Sequence, residues 1–239
     1  MTKSTYGTGC FVMANTGSQL VRSEQQLLST VAYQLDGAPS YALEGSIFAA
    51  GVAVKWLRDE LGLVLSADET EAAARRVSGD AGGVYLVPAF TGLGAPHWAA
   101  DARGVIAGLT LASNRDQLIT ATLQSVAYQT SDLLAAMAGD GGVVGQLRVD
   151  GGMVTNDWLC QFLADILDTP VERPDITQTT ALGAATLAAL GVGEVASLEQ
   201  ASSLWQCERV FAPTMPAATR EALLAGWHDA VARALLGAR

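Results

Sequence analysis

Three short stretches carry the residue types needed to hold a flat, charged ligand. At 6–9, Tyr-Gly-Thr-Gly offers the Thr8 hydroxyl, and Gly7 and Gly9 leave adjacent backbone N–H groups open to the oxygens of a phosphate. At 48–51, Phe-Ala-Ala-Gly puts Gly51 where the absence of a side chain would let a flat ring lie on the backbone. At 148–158, RVDGGMVTNDW joins a short apolar strand to a helix that Asn156 or Thr155 can cap. A glycine-rich turn feeding a capped helix presents free N–H groups at the positive end of a dipole, which is the physics of anion and nucleotide sites. Each stretch also has an ordinary explanation, as a flexible strand end, a close-packed helical glycine and a plain Asp-Gly turn. Together they describe a nucleotide cleft spread over three loops. A Walker loop is absent, and the missing Gly-x-Gly-x-x-Gly after a first strand removes a dinucleotide-binding oxidoreductase from consideration.

The elements that must position these loops follow from periodicity. TYGTGCFVMANTG reads as two short strands around a turn at 14–17, and 27–33 as a further strand. YALEGSIFAAGVAVKWLRDELGL begins extended and becomes a half-exposed helix, with Val52, Val54, Trp56, Leu57 and Leu61 interleaved with Lys55, Arg58, Asp59 and Glu60. GVYLVPAF and GVIAGLTL are strands flanking a Gly/Pro-rich loop, TGLGAPHW, and Asn114 or Asp116 starts a long helix through about Met137. After the 148–158 turn, Trp158, Leu159, Phe162, Leu163, Ile166 and Leu167 give one broad apolar face. TPVERP reads as an edge strand, TTALGAATLAALGVG as a small-residue helix able to pack tightly on a sheet, and TREALLAGWHDAVARALL as a closing amphipathic helix. SADETEAAARR reads as an acidic, Ala-rich surface segment. Antiparallel strands followed by alternating helices and strands predict one α/β domain, a mixed sheet flanked by helices.

Composition limits the setting. The chain has 239 residues, half of them apolar, which is enough for one large core. Lys and Arg total 14 against 24 acids, a net charge of −10, and no basic stripe tracks a phosphodiester backbone, so nucleic acid is not expected as a partner. No apolar run reaches the length of a membrane span and MTKSTYGTGC lacks a signal-peptide core, which predicts a cytoplasmic protein without membrane association. Cys10, Cys160 and Cys207 are odd in number and far apart, as expected of buried, reduced thiols. The two histidines, His97 and His228, sit in no metal-ligand cluster and read as surface or packing residues; no metal ligand is assigned.

KSTYGTGCFVMANTG, YALEGSIFAAGVAVKWLRD, VYLVPAFTGLGAPHW, ARGVIAGLT, TLQSVAYQT and LRVDGGMVTNDWLCQFLADIL together resemble the C-terminal half of the glycerol kinases, within the wider carbohydrate-kinase family of the actin and Hsp70 type. The resemblance covers nearly the whole chain and is weakest in 63–80 and 190–210. GVIAGLTLASNRDQLITATLQ is similar to a signature shared by these sugar kinases, while TYGTGCF and GLGAPHW point to the glycerol branch. It implies a ribonuclease H-like, actin-type ATPase domain with a mixed, five-stranded-type sheet and helices on both faces. Residues 1–239 would then be the C-terminal nucleotide-binding domain of a two-lobe kinase.

By that resemblance, Gly152 and Asn156 touch the adenine and ribose of ATP or ADP, Thr8 and the neighbouring Gly9 contact the phosphates, Gly51 lines the base pocket, and Phe11 lies beside the glycerol carbons. Lys55 stands where glycerol kinases often have Gln; its ammonium donates but cannot accept, so base or ribose contacts there differ. The family's N-terminal lobe carries a second phosphate loop, the polyol pocket and the aspartate general base. That aspartate precedes the motif with which this chain begins, so the resemblance implies no catalytic residue here. Phosphoryl transfer also needs Mg²⁺ and an oriented nucleophile. The expectation is the nucleotide-binding half of an ATP-dependent glycerol kinase, inactive alone. A kinase of a pentulose or gluconate, and a non-catalytic interaction module whose exposed face makes a homo-oligomer, stay open as alternatives. Met1 also reads as an internal methionine of a longer protein.

Overall fold

The computed structural model describes residues 1–142 and 145–237. The chain runs β1 (Thr2–Tyr6), β2 (Cys10–Gly17), β3 (Leu28–Leu35), β4 (Ala38–Ile47), α1 (Gly51–Asp59), α2 (Glu69–Arg76), β5 (Tyr85–Val87), β6 (Val105–Ala107), α3 (Arg115–Gly139), β7 (Leu147–Asp150), a 3-10 turn (Gly152–Thr155), α4 (Asp157–Leu167), β8 (Val171–Pro174), α5 (Thr179–Gly191), α6 (Leu198–Ser202), β9 (Cys207–Phe211) and α7 (Ala217–Leu236). One sheet has the order β3-β4-β2-β1-β7-β8-β9, and β5 pairs with β6 separately. The expected five-stranded mixed core, β4-β2-β1-β7-β8, is thus extended by β3 at one edge and β9 at the other. β1 pairs antiparallel with β2 but parallel with β7, so their junction is where the sheet changes from hairpin to crossover connectivity.

Alternation along β1 sends Thr2, Ser4 and Tyr6 into the core and leaves Lys3 and Thr5 on the other face. On the core side α3 carries buried residues around most of its circumference, as a helix enclosed by its neighbours must. Its N-terminus closes with a capping box: Gln117 N donates to Asn114 Oδ1 (3.1 Å) and Asn114 N to Gln117 Oε1 (3.0 Å). Mid-helix, Tyr6 and Thr130 hydroxyls meet at 3.1 Å, and Trp227 of α7, fully buried, donates to Asp132 at 2.8 Å. On the opposite face α5 starts where the Thr179 hydroxyl donates to Asp150. Among the described residues no helix is long and apolar enough to cross a membrane.

Several expectations are corrected. The first hairpin turns at 7–9 and not at 14–17, because Cys10–Gly17 continues as strand and two glycines with a threonine make the tighter reversal. SADETEAAARR contains helix α2, whose Thr70, Ala73 and Ala74 are buried; Ala at consecutive positions lets it approach its neighbours closely. TPVERP is no edge, since β9 pairs antiparallel with β8 beyond it. α5 buries none of its residues, so its small apolar side chains do not pack on this sheet. Cys10 and Cys160 are buried free thiols as expected, but Cys207 is exposed on the outermost strand.

Candidate functional site

The loop at 7–9 and the start of α1 are built as one unit. α1 has no side-chain cap. Its leading amides are satisfied by the loop's carbonyls: Gly51 N donates to Gly7 O (2.9 Å), while Ala50 N and Val52 N both donate to Thr8 O (3.0 Å). That contact explains Gly51, because a Cβ there would lie 2.5 Å from Gly7 O. Gly9 is fixed in the same way, with a Cβ predicted 2.5 Å from Ile47 O. The missing Cβ of Gly51 therefore serves backbone packing.

With those carbonyls turned toward α1, the loop's donors point away. Gly7 N is used within the loop, donating to Gly9 O at 2.9 Å, which corrects the expectation that it is open. The Thr8 hydroxyl and the Thr8 and Gly9 amides have no partner among the described residues, and Thr8 is exposed. Two adjacent N–H groups and a hydroxyl are a donor set for an anionic oxygen.

The second wall is the turn after β7. Gly151 takes φ 94°, and a Cβ would clash with Tyr6 O at 2.4 Å, so the turn can lie against β1 only as glycine. Nothing lies within 4 Å of the Cβ position of Gly152, which is exposed to open space. Asn156 is the cap of α4: its Oδ1 accepts from Leu159 N at 2.9 Å, and its Nδ2 donates to Thr70 Oγ1 at 3.4 Å. Asp157 N donates to Glu71 Oε2 at 3.2 Å. The α4 dipole end is therefore filled by an amide oxygen and a carboxylate of the chain itself. The expected anion site at this helix start is not available, and the free donors are those of the 7–9 loop.

Between the walls lies a cleft of about 620 Å³, within the usual range for small-molecule sites. Thr8, Gly51, Lys55, Gly152 and Asn156 all line it. Gly9 is not among its lining residues, although its free amide adjoins that of Thr8, and Phe11 is on the face of the sheet opposite α3, paired with Thr5 and 51% exposed. Apolar wall comes from Val54, Leu123, Met153 and Leu159. Lys55 and Arg58 bring cations on the α1 side, Asp68 and Glu71 anions on the α2 side.

The α2 wall, with Thr70 and Glu71, escapes the sequence reading. The signal was present: Glu69 and Glu71 open the segment and Arg75 and Arg76 close it, the charge order a helix dipole favours. Arg58 was read only as part of a solvated helix face.

Nucleophiles elsewhere are quiet. Burial pushes the Cys10 thiol up to about 12 and the Cys160 thiol likewise to about 12. Both histidines converge on one carboxylate, His228 Nε2 lying 3.3 Å and His97 Nε2 3.7 Å from Asp132, and none of the three lines the cleft. Among the described residues no group of three His, Cys, Asp or Glu is arranged to hold a metal ion.

Comparison with known proteins identifies the family. Residues 2–192 match the C-terminal domain of the FGGY family of carbohydrate kinases. The chain is 59% identical over 236 residues to a glycerol kinase of Rhodospirillum centenum and 58% identical over 234 residues to one of Alcanivorax borkumensis. These alignments take in 99% and 98% of this chain but 47% of each relative, so the chain spans about half the length of the relatives it matches. A crystal structure of Plasmodium falciparum glycerol kinase with ADP superposes with a TM-score of 0.89 at 37% identity, over 98% of this chain and 47% of that one. A ligand-bound xylulose kinase of Lactobacillus acidophilus shares the fold, with a TM-score of 0.82 at 22% identity over 98% of this chain and 47% of its own. The chain belongs to the FGGY family of carbohydrate kinases, whose C-terminal domain it carries.

Proposed function

We propose that this chain is the nucleotide-binding half of an ATP-dependent glycerol kinase, the enzyme that turns ATP and glycerol into ADP and glycerol 3-phosphate. The observation that carries the reading is the division of labour in the cleft. One cleft combines the unpartnered donors of Thr8, with the free Gly9 amide adjoining them, and an open glycine wall at Gly152 with apolar neighbours. A nucleotide needs both kinds of wall, donors for its phosphates and an apolar, side-chain-free surface for its base. Glycerol as acceptor rests on identities of 59% and 58% to glycerol kinases, against 22% to a xylulose kinase, a level that speaks only to fold.

In this reading the Thr8 hydroxyl and the Thr8 and Gly9 amides hold phosphate oxygens, and Lys55, on the α1 wall, donates to the base or ribose. Met153 and the bare Gly152 backbone face the base or ribose. Asn156 Oδ1 is committed to the helix cap, so its Nδ2, held only by the 3.4 Å bond to Thr70, is the group left to donate to the nucleotide. Among the described residues Asp68 and Glu71 stand on the α2 wall without a third metal ligand. Mg²⁺ would arrive on the nucleotide's own phosphates, the usual way that ion is carried. Use of ATP also fits a cytoplasmic setting.

The other half of the enzyme would supply the general base and the polyol pocket. It would cover α5, whose Ala- and Leu-rich surface buries nothing in this chain, and the exposed Phe11, which then meets the glycerol carbons. Residues 1–239 are on this account one lobe of two. The test is turnover: the purified chain alone should form no glycerol 3-phosphate, and mixing it with the separately expressed N-terminal half of a glycerol kinase relative should restore formation. Turnover by the chain alone contradicts the division of labour.

A further inference from the structure

We propose that Arg173 is the positioning residue of the nucleotide cleft, a buried clamp that fixes the Gly152–Thr155 turn from behind. The inference rests on the nucleotide reading above and deepens it. Arg173 is 9% exposed and reaches from β8 to the underside of the turn, away from the cleft. Its Nη1 donates to Val154 O and to Asp157 Oδ1, both at 2.8 Å, and its Nε to Glu208 Oε2 at 2.7 Å. Arg209 Nη1 adds a 2.5 Å bond to Asp157 Oδ2, and the Phe211 ring lies 5.3 Å beneath the Arg173 guanidinium. Val154 is the buried residue of the turn, between the cleft-lining Met153 and Thr155, and Asp157 is the first residue of α4, directly after Asn156. One planar fork therefore ties together the carbonyl under the turn and the helix start that orients Asn156. Burial works against the charges, but the hydrogen bonds and the opposed partners hold the Asp157 carboxyl below the usual range and the Arg173 guanidinium firmly protonated. A lysine cannot reproduce this, because its single ammonium has no fork to span three acceptors on different elements. Glu208 and Arg209 lie on β9, outside the 2–192 family match, so this outer strand braces the cleft.

The test compares the full chain with Arg173→Lys and Glu208→Gln by calorimetric titration with Mg-ADP and by amide hydrogen exchange. Arg173→Lys is expected to weaken ADP about tenfold, with faster exchange confined to 151–157 and protection regained at saturating ADP. A purely structural role would instead lower the unfolding temperature and raise exchange throughout the chain, leaving the affinity of the folded fraction unchanged. Glu208→Gln alters an exposed partner and should show the same local pattern at about threefold, which carries the test if the lysine variant does not fold. ADP binding and local exchange unchanged in the folded variants overturn the proposal. If the unaltered chain binds no ADP, the nucleotide reading is what fails, and local exchange still decides for or against the clamp.

Discussion

A single methyl group added at Gly152 and at Gly51 should act in opposite directions, although both glycines line the same cleft. At Gly51 the new carbon would sit 2.5 Å from the Gly7 carbonyl oxygen and 3.5 Å from the Met153 sulfur, so backbone must move. Overpacking of this kind costs about 1–3 kcal/mol, a fall in melting temperature of roughly 2–12 °C for a chain of this size. At Gly152 the methyl meets nothing within 4 Å, and the backbone needs no left-handed conformation. Alanine there should be neutral or add about 0.4–1 kcal/mol by restricting the unfolded chain. The same methyl projects into the space assigned to the nucleotide, where about 1–3 kcal/mol of steric conflict converts to roughly 5- to 150-fold weaker binding. Thermal unfolding and Mg-ADP titration of both variants separate the two effects. A Gly152→Ala chain that melts normally and binds ADP within about twofold of the parent would refute the placement of the nucleotide along this turn.

Thr8→Val removes a hydroxyl without a protein partner, so melting should stay within about 0.5 kcal/mol while ADP weakens by about 1–1.5 kcal/mol and adenosine is unaffected. Leu187→Glu, on the surface of α5 that buries nothing, should leave unfolding of the chain nearly unchanged yet block reconstitution of turnover with an N-terminal half; unimpaired turnover would remove α5 from the lobe contact. Cys160 and Cys10 are raised by burial from 9.0 to about 12, so the native state keeps protons that the unfolded chain releases. Their contribution is complete below about pH 9 and declines toward pH 12 by up to about 1.4 kcal/mol per unit for each thiol. Melting curves should therefore fall above pH 9, less steeply in Cys160→Ala, and an equal slope in that variant contradicts the linkage.

Sequence reasoning reaches those parts of the fold whose signals are local. Glycines at 7–9, 51 and 151–152 mark the loops that converge, and the capping box at Asn114 and the cap at Asn156 are written in residue types. Packing across distant segments decides the remainder. α2 is invisible to an apolar-stripe search because Thr and Ala make its buried face, and β9 was missed because its alternation is weak, four of its five residues being exposed. The packing role of Gly51 is out of reach of sequence for a related reason: only the fold brings Gly7 O against it. The α4 terminus looked like an anion site until Glu71, 86 positions away from Asp157, was found accepting its first amide.

The most direct measurement is a crystal structure of this chain grown with Mg-ADP. The account predicts the diphosphate on the Thr8 and Gly9 amides and the base or ribose along Gly152, with Asn156 Nδ2 donating to it. ADP bound elsewhere, or phosphates lodged at the α4 terminus with Glu71 displaced, would contradict it.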